Sequence, residues 1–379
     1  MPGAVFEIDG ELIRRSIADQ VVRPARFEAA ISREDEMFLH ALSGYRSDRD
    51  RAFVTYLLQG RQMLDHLQSV VAWGFGGWAG VGSFLDFACG YGRFTRHLIQ
   101  ELDPERIWVS DIDADAVRFQ RERFGVHGVP STSAPEALEI DRRFDVIFVA
   151  SLFSHLPRSS FERWLTRLAS LLSERGVLVF STHGIGLARE AEGRGDHLFR
   201  ERSESRTLDV AEYGTAFVSE AFVAAAIRNA AGSQARWRRI ANGLLGFQDL
   251  YLVCLDPGRD LQSLDYRHGC IGHVAGCSAA GDRAFQVRGW AADLDAAEPS
   301  SVRVRVVANE RIVHEGSPDH DRPDVAGVLG SSRVLRSGWS CRLASDAVGP
   351  ADWIAVELLS RAGRARTISL ARLESMLRW

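Results

Sequence analysis

The sequence predicts an α/β protein: a doubly wound, mostly parallel seven-stranded sheet followed by an antiparallel β-sandwich. Apolar, strand-like runs alternate with amphipathic helical segments between about residues 81 and 256. A glycine-rich turn joins the first of these runs to a helix, and from about residue 270 short alternating strands replace the helices. Strands that alternate with helices indicate a parallel sheet covered by helices on both faces.

The core elements follow one another in regular order. Strands are predicted at 83–88, 106–111, 127–131, 144–150, 176–182 and 247–254, and helices at 93–102, 114–123, 160–174 and 219–231. The polar residues 184–220 interrupt this order, and such a long segment inside a compact domain is usually functional or disordered. We expect it to be an insertion that could fold over the pocket as a lid.

Three regions are predicted along the chain. Residues 1–80 read as a helical lead-in, because their apolar residues recur at helical spacing. Residues 81–256 form the core, with the insertion 184–220. Residues 265–379 form the β-sandwich accessory domain, since short strands are punctuated there by glycine-rich turns.

The first strand leads into a loop suited to a ligand. The apolar run Phe84–Phe87 is followed by small residues, and a helix begins near Arg93. Gly90 and Gly92 allow positive φ and let a ligand approach the backbone closely. The free N–H groups and the positive dipole end of the helix point back at this loop. Strand, glycine-rich turn and helix are typical of a nucleotide-binding unit.

Two acidic residues strengthen that interpretation. Asp86 lies at the end of the first strand, and Asp111 ends the second strand. A carboxylate at the tip of the second strand is placed to accept both hydroxyls of a ribose. Gly-x-Gly alone occurs in many ordinary turns, so the prediction of a nucleotide site depends on these acids.

The motifs together resemble those of the class I S-adenosylmethionine-dependent methyltransferases, a Rossmann-like family. Asp86-Phe-Ala-Cys-Gly-Tyr-Gly92 is similar to the first motif, Asp/Glu-x-Gly-x-Gly-x-Gly, with Ala88 in place of its first glycine. Val109-Ser-Asp-Ile-Asp113 resembles the second motif, and Phe144–Leu156 resembles the fourth strand and the loop after it. The resemblance covers about residues 80–255.

The resemblance implies a set of cofactor contacts for S-adenosyl-L-methionine. Asp86 would order the loop and the amino group of the methionine part, Asp111 would hold the ribose, and Ile112 would pack on the adenine. Many relatives carry an acid after the third strand, where this chain has Ser131-Thr-Ser-Ala134, so a hydroxyl or backbone group would serve there. The expected cofactor-binding residues are Asp86, Ala88, Cys89, Gly90, Gly92, Asp111, Ile112, Ser133 and Ala150.

Two histidines are the candidate general bases. His155 follows the fourth strand and His183 follows the fifth, at the edge where the ligand should bind. A base helps only if the acceptor loses a proton as the methyl group arrives. His197 and Tyr213 lie in the insertion and are further candidates. A single histidine is more often structural than catalytic, and that alternative stays open.

Composition and charge limit the binding partners and the location expected for this protein. The formal net charge is −4, which favours neither nucleic acid nor an anionic membrane surface, and all 46 basic residues are arginine, which excludes lysine chemistry. Five cysteines, an odd number, favour a reducing compartment, and the N-terminus does not resemble a signal peptide. The apolar window Val70–Val81 is too short for a membrane span. We expect a cytoplasmic protein with no integral membrane segment.

No metal is expected. Cys270 and Cys277, with His268 and His273 nearby, have a spacing that fits no common zinc site.

The preferred function is S-adenosylmethionine-dependent O-methylation of a sugar or other small molecule in bacterial surface-polysaccharide or glycan assembly. The C-terminal strands loosely resemble β-domains appended to bacterial polysaccharide-assembly proteins, which favours a glycan acceptor by analogy. An NAD-dependent enzyme with a variant loop and a non-catalytic glycan-binding or scaffold protein are the alternatives. The acceptor and the oligomeric state stay open.

Overall fold

The computed structural model describes residues 4–379, apart from 19, 20, 22, 189–194, 204, 206, 282, 362 and 364. The described residues form two compact units. The first is drawn from the segments Met1–Glu7, Gln20–His40 and Gln59–Tyr266, and the second from Ile8–Asp19, Ala41–Leu58 and Arg267–Trp379.

The first unit is built on one twisted sheet. Its strands are β1 Phe84–Phe87, β2 Ile107–Ser110, β3 His127–Gly128, β4 Phe144–Val149, β5 Leu172–Gly184, β6 His197–Arg200, β7 Thr215–Val218, β8 Arg236–Leu244 and β9 Gln248–Cys254. The parallel part has the order β3-β2-β1-β4-β5. Strand β9 pairs antiparallel with β5 and with β8. The mostly parallel sheet predicted from the sequence is confirmed.

The strand count differs from the prediction. Over the residues that the structure describes, the sheet has nine strands rather than seven, because the insertion supplies β6 and β7. These two strands pair antiparallel with each other, and β7 continues the sheet by pairing in parallel with His183 and Gly184 at the end of β5. Ala216 and Val218 are buried, so this short hairpin has an apolar side despite the polar composition around it.

Both faces of the sheet are covered. Successive side chains of a strand point to opposite faces, and in β4 Val146 and Phe148 join one apolar cluster while Ile147 and Val149 join another. The helices before residue 232 are α1 Gly10–Ala18, α2 Glu36–Gly44, α3 Arg49–Phe75, α4 Thr95–Glu101, α5 Ala114–Phe124, α6 Arg158–Ser170 and α7 Glu220–Ala231. Of these, α1 belongs to the second unit, and α2 and α3 have residues in both units. A strand buried on both faces explains the continuous apolar runs in the sequence.

The second unit contains two antiparallel sheets, as the alternating pattern after residue 270 predicts. One has the order β10-β11-β14 and the other β13-β12-β15-β16. Their bounds are β10 Cys270–Ala279, β11 Ala284–Asp293, β12 Arg303–Ala308, β13 Arg311–Gly316, β14 Gly338–Ala344, β15 Trp353–Leu359 and β16 Ala365–Arg372, with helices α8 Pro323–Val328 and α9 Leu373–Met376. One buried apolar cluster takes side chains from both sheets. The predicted sandwich stays a prediction.

No helix within the described part of the chain is both long and apolar enough to cross a membrane.

Candidate active site

The loop between β1 and α4 has an unusual backbone. Ala88, Gly90 and Gly92 all have positive φ, at 57°, 51° and 83°. A Cβ atom on Gly90 would meet no atom within 4 Å, whereas one on Gly92 would lie 2.2 Å from the ring of Phe124. The loop is therefore open at Gly90, where a ligand can approach the backbone. Gly92 must be glycine for a different reason, since α5 packs against it.

The buried carboxylate at the end of β1 is Asp86. Its side chain is only 2% exposed and accepts a hydrogen bond of 2.7 Å from the hydroxyl of Thr95 on α4. Burial raises the pKa of Asp86 to about 7, because the charged form loses solvation. The hydroxyl of Thr95 thus ties the end of the first strand to the helix that follows the loop.

Asp111 organises the loop from the neighbouring strand. Parallel register places Phe87 beside Ser110, so the residue after β2 lies beside the loop after β1. The Gly90 N–H donates to one carboxylate oxygen at 2.8 Å and the Asp113 N–H to the other at 3.0 Å. Burial raises the pKa of Asp111 to about 6, an effect that these backbone hydrogen bonds reduce.

The remaining predicted cofactor contacts lie at the same edge of the sheet. Ile112 is 42% exposed, which is unusual for a large apolar side chain and leaves its surface available to a ligand. The Ser131 N–H donates to the Asp111 carbonyl at 2.8 Å, so the segment after β3 lies against the tip of β2. Ser133 on this segment is exposed, and Ala150 at the end of β4 is half-buried.

His155 is buried against the insertion. Its Nδ1 lies 2.7 Å from the Gly214 carbonyl oxygen, and the ring stacks on Tyr213 with centroids 4.6 Å apart and an interplanar angle of 15°. A carbonyl oxygen can only accept, so Nδ1 carries the proton. In the neutral ring Nε2 is then the acceptor nitrogen, which is the atom a general base requires.

His183 has the opposite kind of partner. The amide nitrogen of Gln248 lies 3.3 Å from His183 Nε2. The orientation of that amide follows from two other contacts: the Ser181 hydroxyl donates to Gln248 Oε1 at 2.7 Å, and Gln248 Nε2 donates to the Ser151 hydroxyl at 3.0 Å. The amide N–H₂ therefore faces His183 and occupies the lone pair of its Nε2. The ring centroids of His155 and His183 are 6.3 Å apart.

His197 is set among aromatic side chains instead. Its ring lies 4.9 Å from that of Phe222 and 6.4 Å from that of Phe161, and burial lowers its pKa. Both phenylalanines belong to the apolar cluster of α6 and α7. This environment favours a structural role for His197.

Several residues of the site were not predicted from the sequence. Gln248, Ser181 and Ser151 form the polar network beside His183, and the positive φ of Ser151, 66°, is its one local peculiarity. Arg96 is fully buried and donates to the Gly92 carbonyl at 3.1 Å and to the Glu28 carbonyl at 2.8 Å, which ties the loop to the lead-in. The sequence of residues 93–102, which contains two arginines, carries no signal that Arg96 is buried.

Metal ligands do not cluster in the described residues, where no group of three or more histidine, cysteine or acidic side chains could hold an ion.

Comparison with known proteins assigns the class of this domain. Residues 85–178 match the family model described as a methyltransferase domain. That stretch begins in β1 and ends in β5, so it contains the loop, Asp86, Asp111 and His155. The match assigns residues 85–178 to a methyltransferase domain. A search of curated proteins finds no match.

Solved structures with similar folds are also methyltransferases. An S-adenosylmethionine-dependent methyltransferase from Clostridium acetobutylicum ATCC 824 is 16% identical, with 58% of this chain and 98% of that chain covered and a TM-score of 0.38. The plantazolicin methyltransferase BamL, bound to a desmethyl analogue and S-adenosylhomocysteine, is 12% identical, with 66% and 100% covered and a TM-score of 0.40.

A third structure is the magnesium protoporphyrin IX methyltransferase from Synechocystis PCC 6803 with bound S-adenosylhomocysteine. It is 14% identical, with 58% of this chain and 94% of that chain covered and a TM-score of 0.38. Likenesses at this level carry no inference about the acceptor of this chain.

The residues present fit the cofactor. The open side of the loop at Gly90 admits a ligand next to the backbone. A carboxylate at the tip of β2 suits a ribose diol, and an exposed apolar side chain beside it suits a flat base.

Proposed function

We propose that this protein transfers a methyl group from S-adenosyl-L-methionine to a hydroxyl oxygen of a sugar or other small molecule, with His155 as the general base. The observation that carries this proposal is the hydrogen bond from His155 Nδ1 to the Gly214 carbonyl. It leaves Nε2 as the basic nitrogen at the carboxyl edge of the sheet, where the domain binds its cofactor.

The cofactor contacts are proposed on the same basis. Asp111 holds the ribose hydroxyls and Ile112 packs on the adenine. The backbone from Ala88 through Cys89 and Gly90 lies along the methionine part, and Asp86 keeps that loop in place through Thr95. Gly92 serves by letting the loop pack on α5. Ser133 and Ala150 complete the edge, one after β3 and the other after β4.

Proton removal is the step that the protein must supply. When bound, the cofactor supplies an electrophilic methyl group on a positively charged sulfur. A hydroxyl is a weak nucleophile at neutral pH, so His155 Nε2 takes its proton while the oxygen–carbon bond forms and the carbon–sulfur bond breaks. Gly214 and Tyr213 hold the ring during this transfer. His183 does not compete for the proton because Gln248 donates to its Nε2.

A glycan acceptor and a place in bacterial surface-polysaccharide assembly complete the proposal. The two antiparallel sheets of the second unit share one apolar cluster, which supports a β-sandwich accessory domain over residues 265–379. We place the catalytic core at residues 81–256, with residues 1–80 as its cover, and we place the enzyme in the cytoplasm. An NAD-dependent enzyme is disfavoured because the match is to a methyltransferase domain.

The test is a matched pair of histidine variants. Affinity for S-adenosylhomocysteine is measured by calorimetry, and methyl transfer is measured with labelled S-adenosylmethionine on glycan fractions and small alcohols. We expect His155→Gln to lower turnover by about a hundredfold, within the range for general-base help, and to leave the affinity within a few-fold. His197→Gln is the control, because its ring packs among aromatic residues.

The controls separate the parts of the proposal. A folded, cofactor-saturated His155→Gln protein with wild-type turnover would end the role of His155. Labelling of protein, nucleic acid or an amine, with no hydroxyl acceptor, would end the assignment to O-methylation.

A further inference from the structure

We propose that the insertion positions His155: Tyr213 and Gly214 fix the orientation of its ring and the nitrogen that carries its proton. This inference rests on the proposed function of His155, but it concerns the state of the ring and can be tested without an acceptor. It assigns the residues just before β7 the positioning of His155, whereas the sequence predicted only that the insertion could cover the pocket.

The hairpin β6–β7 fixes the position of these two residues. Strand β7 begins at Thr215, immediately after Gly214, and pairs with β6 in a register that sets Thr215 opposite Arg200. It also pairs with the end of β5, where His183 lies opposite Phe217. The residues just before β7 are thus tied to the strand that carries the other active-site histidine.

Gly214 forms two hydrogen bonds with His155. Its N–H donates to the His155 carbonyl at 2.9 Å, and its carbonyl accepts from His155 Nδ1 at 2.7 Å. A Cβ atom on Gly214 would lie 2.2 Å from the Arg200 carbonyl oxygen and 2.6 Å from the ring of Phe199. A side chain here would push the hairpin apart, so the close approach requires glycine.

Tyr213 holds the plane of the ring. It stacks on the imidazole of His155 with centroids 4.6 Å apart and planes 15° from parallel. Within that plane, turning the imidazole over would exchange Nδ1 with a carbon and present a C–H group to the Gly214 carbonyl. The stacked ring therefore keeps the imidazole in line with the carbonyl, and the carbonyl selects the orientation and the tautomer in which Nε2 is the unprotonated nitrogen.

The inference separates two roles in one segment. His155 is the group that touches the acceptor, whereas Tyr213 and Gly214 act through it and are positioning residues. Removing the stacking ring should therefore change the state of the imidazole without changing the cofactor loop, which is held by Asp111 and Thr95.

The experiment compares Tyr213→Leu with Tyr213→Phe in the full chain. Histidine is labelled with nitrogen-15, and the His155 resonances are assigned by their loss in His155→Gln. Spectra are recorded at alkaline pH, where the protonated and unprotonated nitrogens of a neutral ring have well-separated shifts. Val210→Ala is the control, because Val210 is exposed in the same segment, and affinity for S-adenosylhomocysteine is measured for every variant.

We expect the wild type, Tyr213→Phe and Val210→Ala to show His155 with its proton on Nδ1 alone. In Tyr213→Leu the plane of the imidazole is no longer held, so the ring can turn out of line with the Gly214 carbonyl and the two tautomers should mix. Turnover should then fall by about tenfold or more, because general-base help is worth about 10²–10⁴-fold. Affinity for S-adenosylhomocysteine should stay within about twofold, since the loop is held separately.

Two outcomes would overturn the inference. One is a wild-type ring protonated on Nε2, and the other is a Tyr213→Leu ring that keeps the single Nδ1 tautomer. If Tyr213→Leu does not fold, Tyr213→His, which retains a flat ring, must keep the wild-type tautomer pattern, and a mixture there also counts against us. A tautomer that changes while turnover does not would uphold the positioning role and refute His155 as the base.

Discussion

Asp111 offers the sharpest test of the cofactor site, because its charge can be removed in two ways. The carboxylate accepts the N–H groups of Gly90 and Asp113, and burial raises its pKa to about 6. Asp111→Asn removes the charge at every pH, and acid removes it from the wild type. If the charge binds the ribose, these two changes should converge on the same affinity.

The magnitude follows from the strength of a charge-assisted hydrogen bond, about 1.5–3 kcal/mol. Since about 1.4 kcal/mol is a factor of ten, Asp111→Asn should weaken S-adenosylhomocysteine binding by about tenfold to hundredfold at pH 8. With a pKa of about 6, only about one Asp111 in eleven is ionised at pH 5. The advantage of the wild type over the variant should therefore shrink about tenfold between pH 7 and pH 5.

The ratio of the two affinities compares Asp111 with an uncharged side chain of the same shape at each pH. The pKa of Asp86, which burial raises to about 7, lies in this window in both proteins, and the Asp111 charge raises it further only in the wild type. Calorimetric titrations at several pH values give the ratio directly. A ratio that stays constant from pH 8 to pH 5 would show that the Asp111 charge does not contact the cofactor, and the ribose assignment would fail.

The raised pKa of Asp111 also makes the free energy of unfolding depend on pH. The folded-state pKa of Asp111 lies above the ordinary value of 3.8, so the folded state binds this proton more tightly than the unfolded state. Its burial therefore lowers the free energy of unfolding progressively as the pH rises from about 4 through 6. Chemical denaturation of the wild type at several pH values should show the free energy of unfolding falling over this range. The fall should be smaller in Asp111→Asn, because its side chain does not titrate.

The remaining predictions concern the loop glycines and the second histidine. Gly90→Val should keep the fold, with some backbone strain, and lose S-adenosylhomocysteine binding, because a Cβ there meets open space; normal binding would refute the placement of the loop. Gly92→Val should instead lower the melting temperature, since its Cβ would lie 2.2 Å from Phe124. His183→Gln should keep turnover within about tenfold, below the range for a general base, and a loss as large as that of His155→Gln would show that His183 takes the proton.

The fold could be predicted where strands are buried on both faces. The runs that became β1, β2 and β4, and residues 177–180 in the middle of β5, are continuous and apolar, so the type and order of these strands could be predicted. The strands β6 and β7 could not be predicted, because each has only four residues and their sequences show little alternation of apolar and polar residues. They exist because they pair with each other and β7 pairs with β5, contacts that a local pattern does not contain.

The cofactor side of the site was readable for a similar reason. The carboxyl ends of neighbouring parallel strands meet at one edge of a sheet, so the sequence alone predicts that Asp86 and Asp111 lie close together. The position of Gln248 could not be predicted, since its contact with Ser181 depends on the antiparallel register of β9 on β5. A one-residue slip would turn the amide to the other face of the sheet.

The two histidines show what the sequence leaves undecided. His155 follows β4 and His183 lies at the end of β5, so on position alone the two are equivalent candidates. The choice between them depends on whether the nearest polar group is an acceptor or a donor. The Gly214 carbonyl accepts from His155 and leaves a basic nitrogen, whereas the Gln248 amide donates to His183 and occupies one. Both partners lie more than 55 residues away along the chain, so the role of each histidine is decided by tertiary pairing.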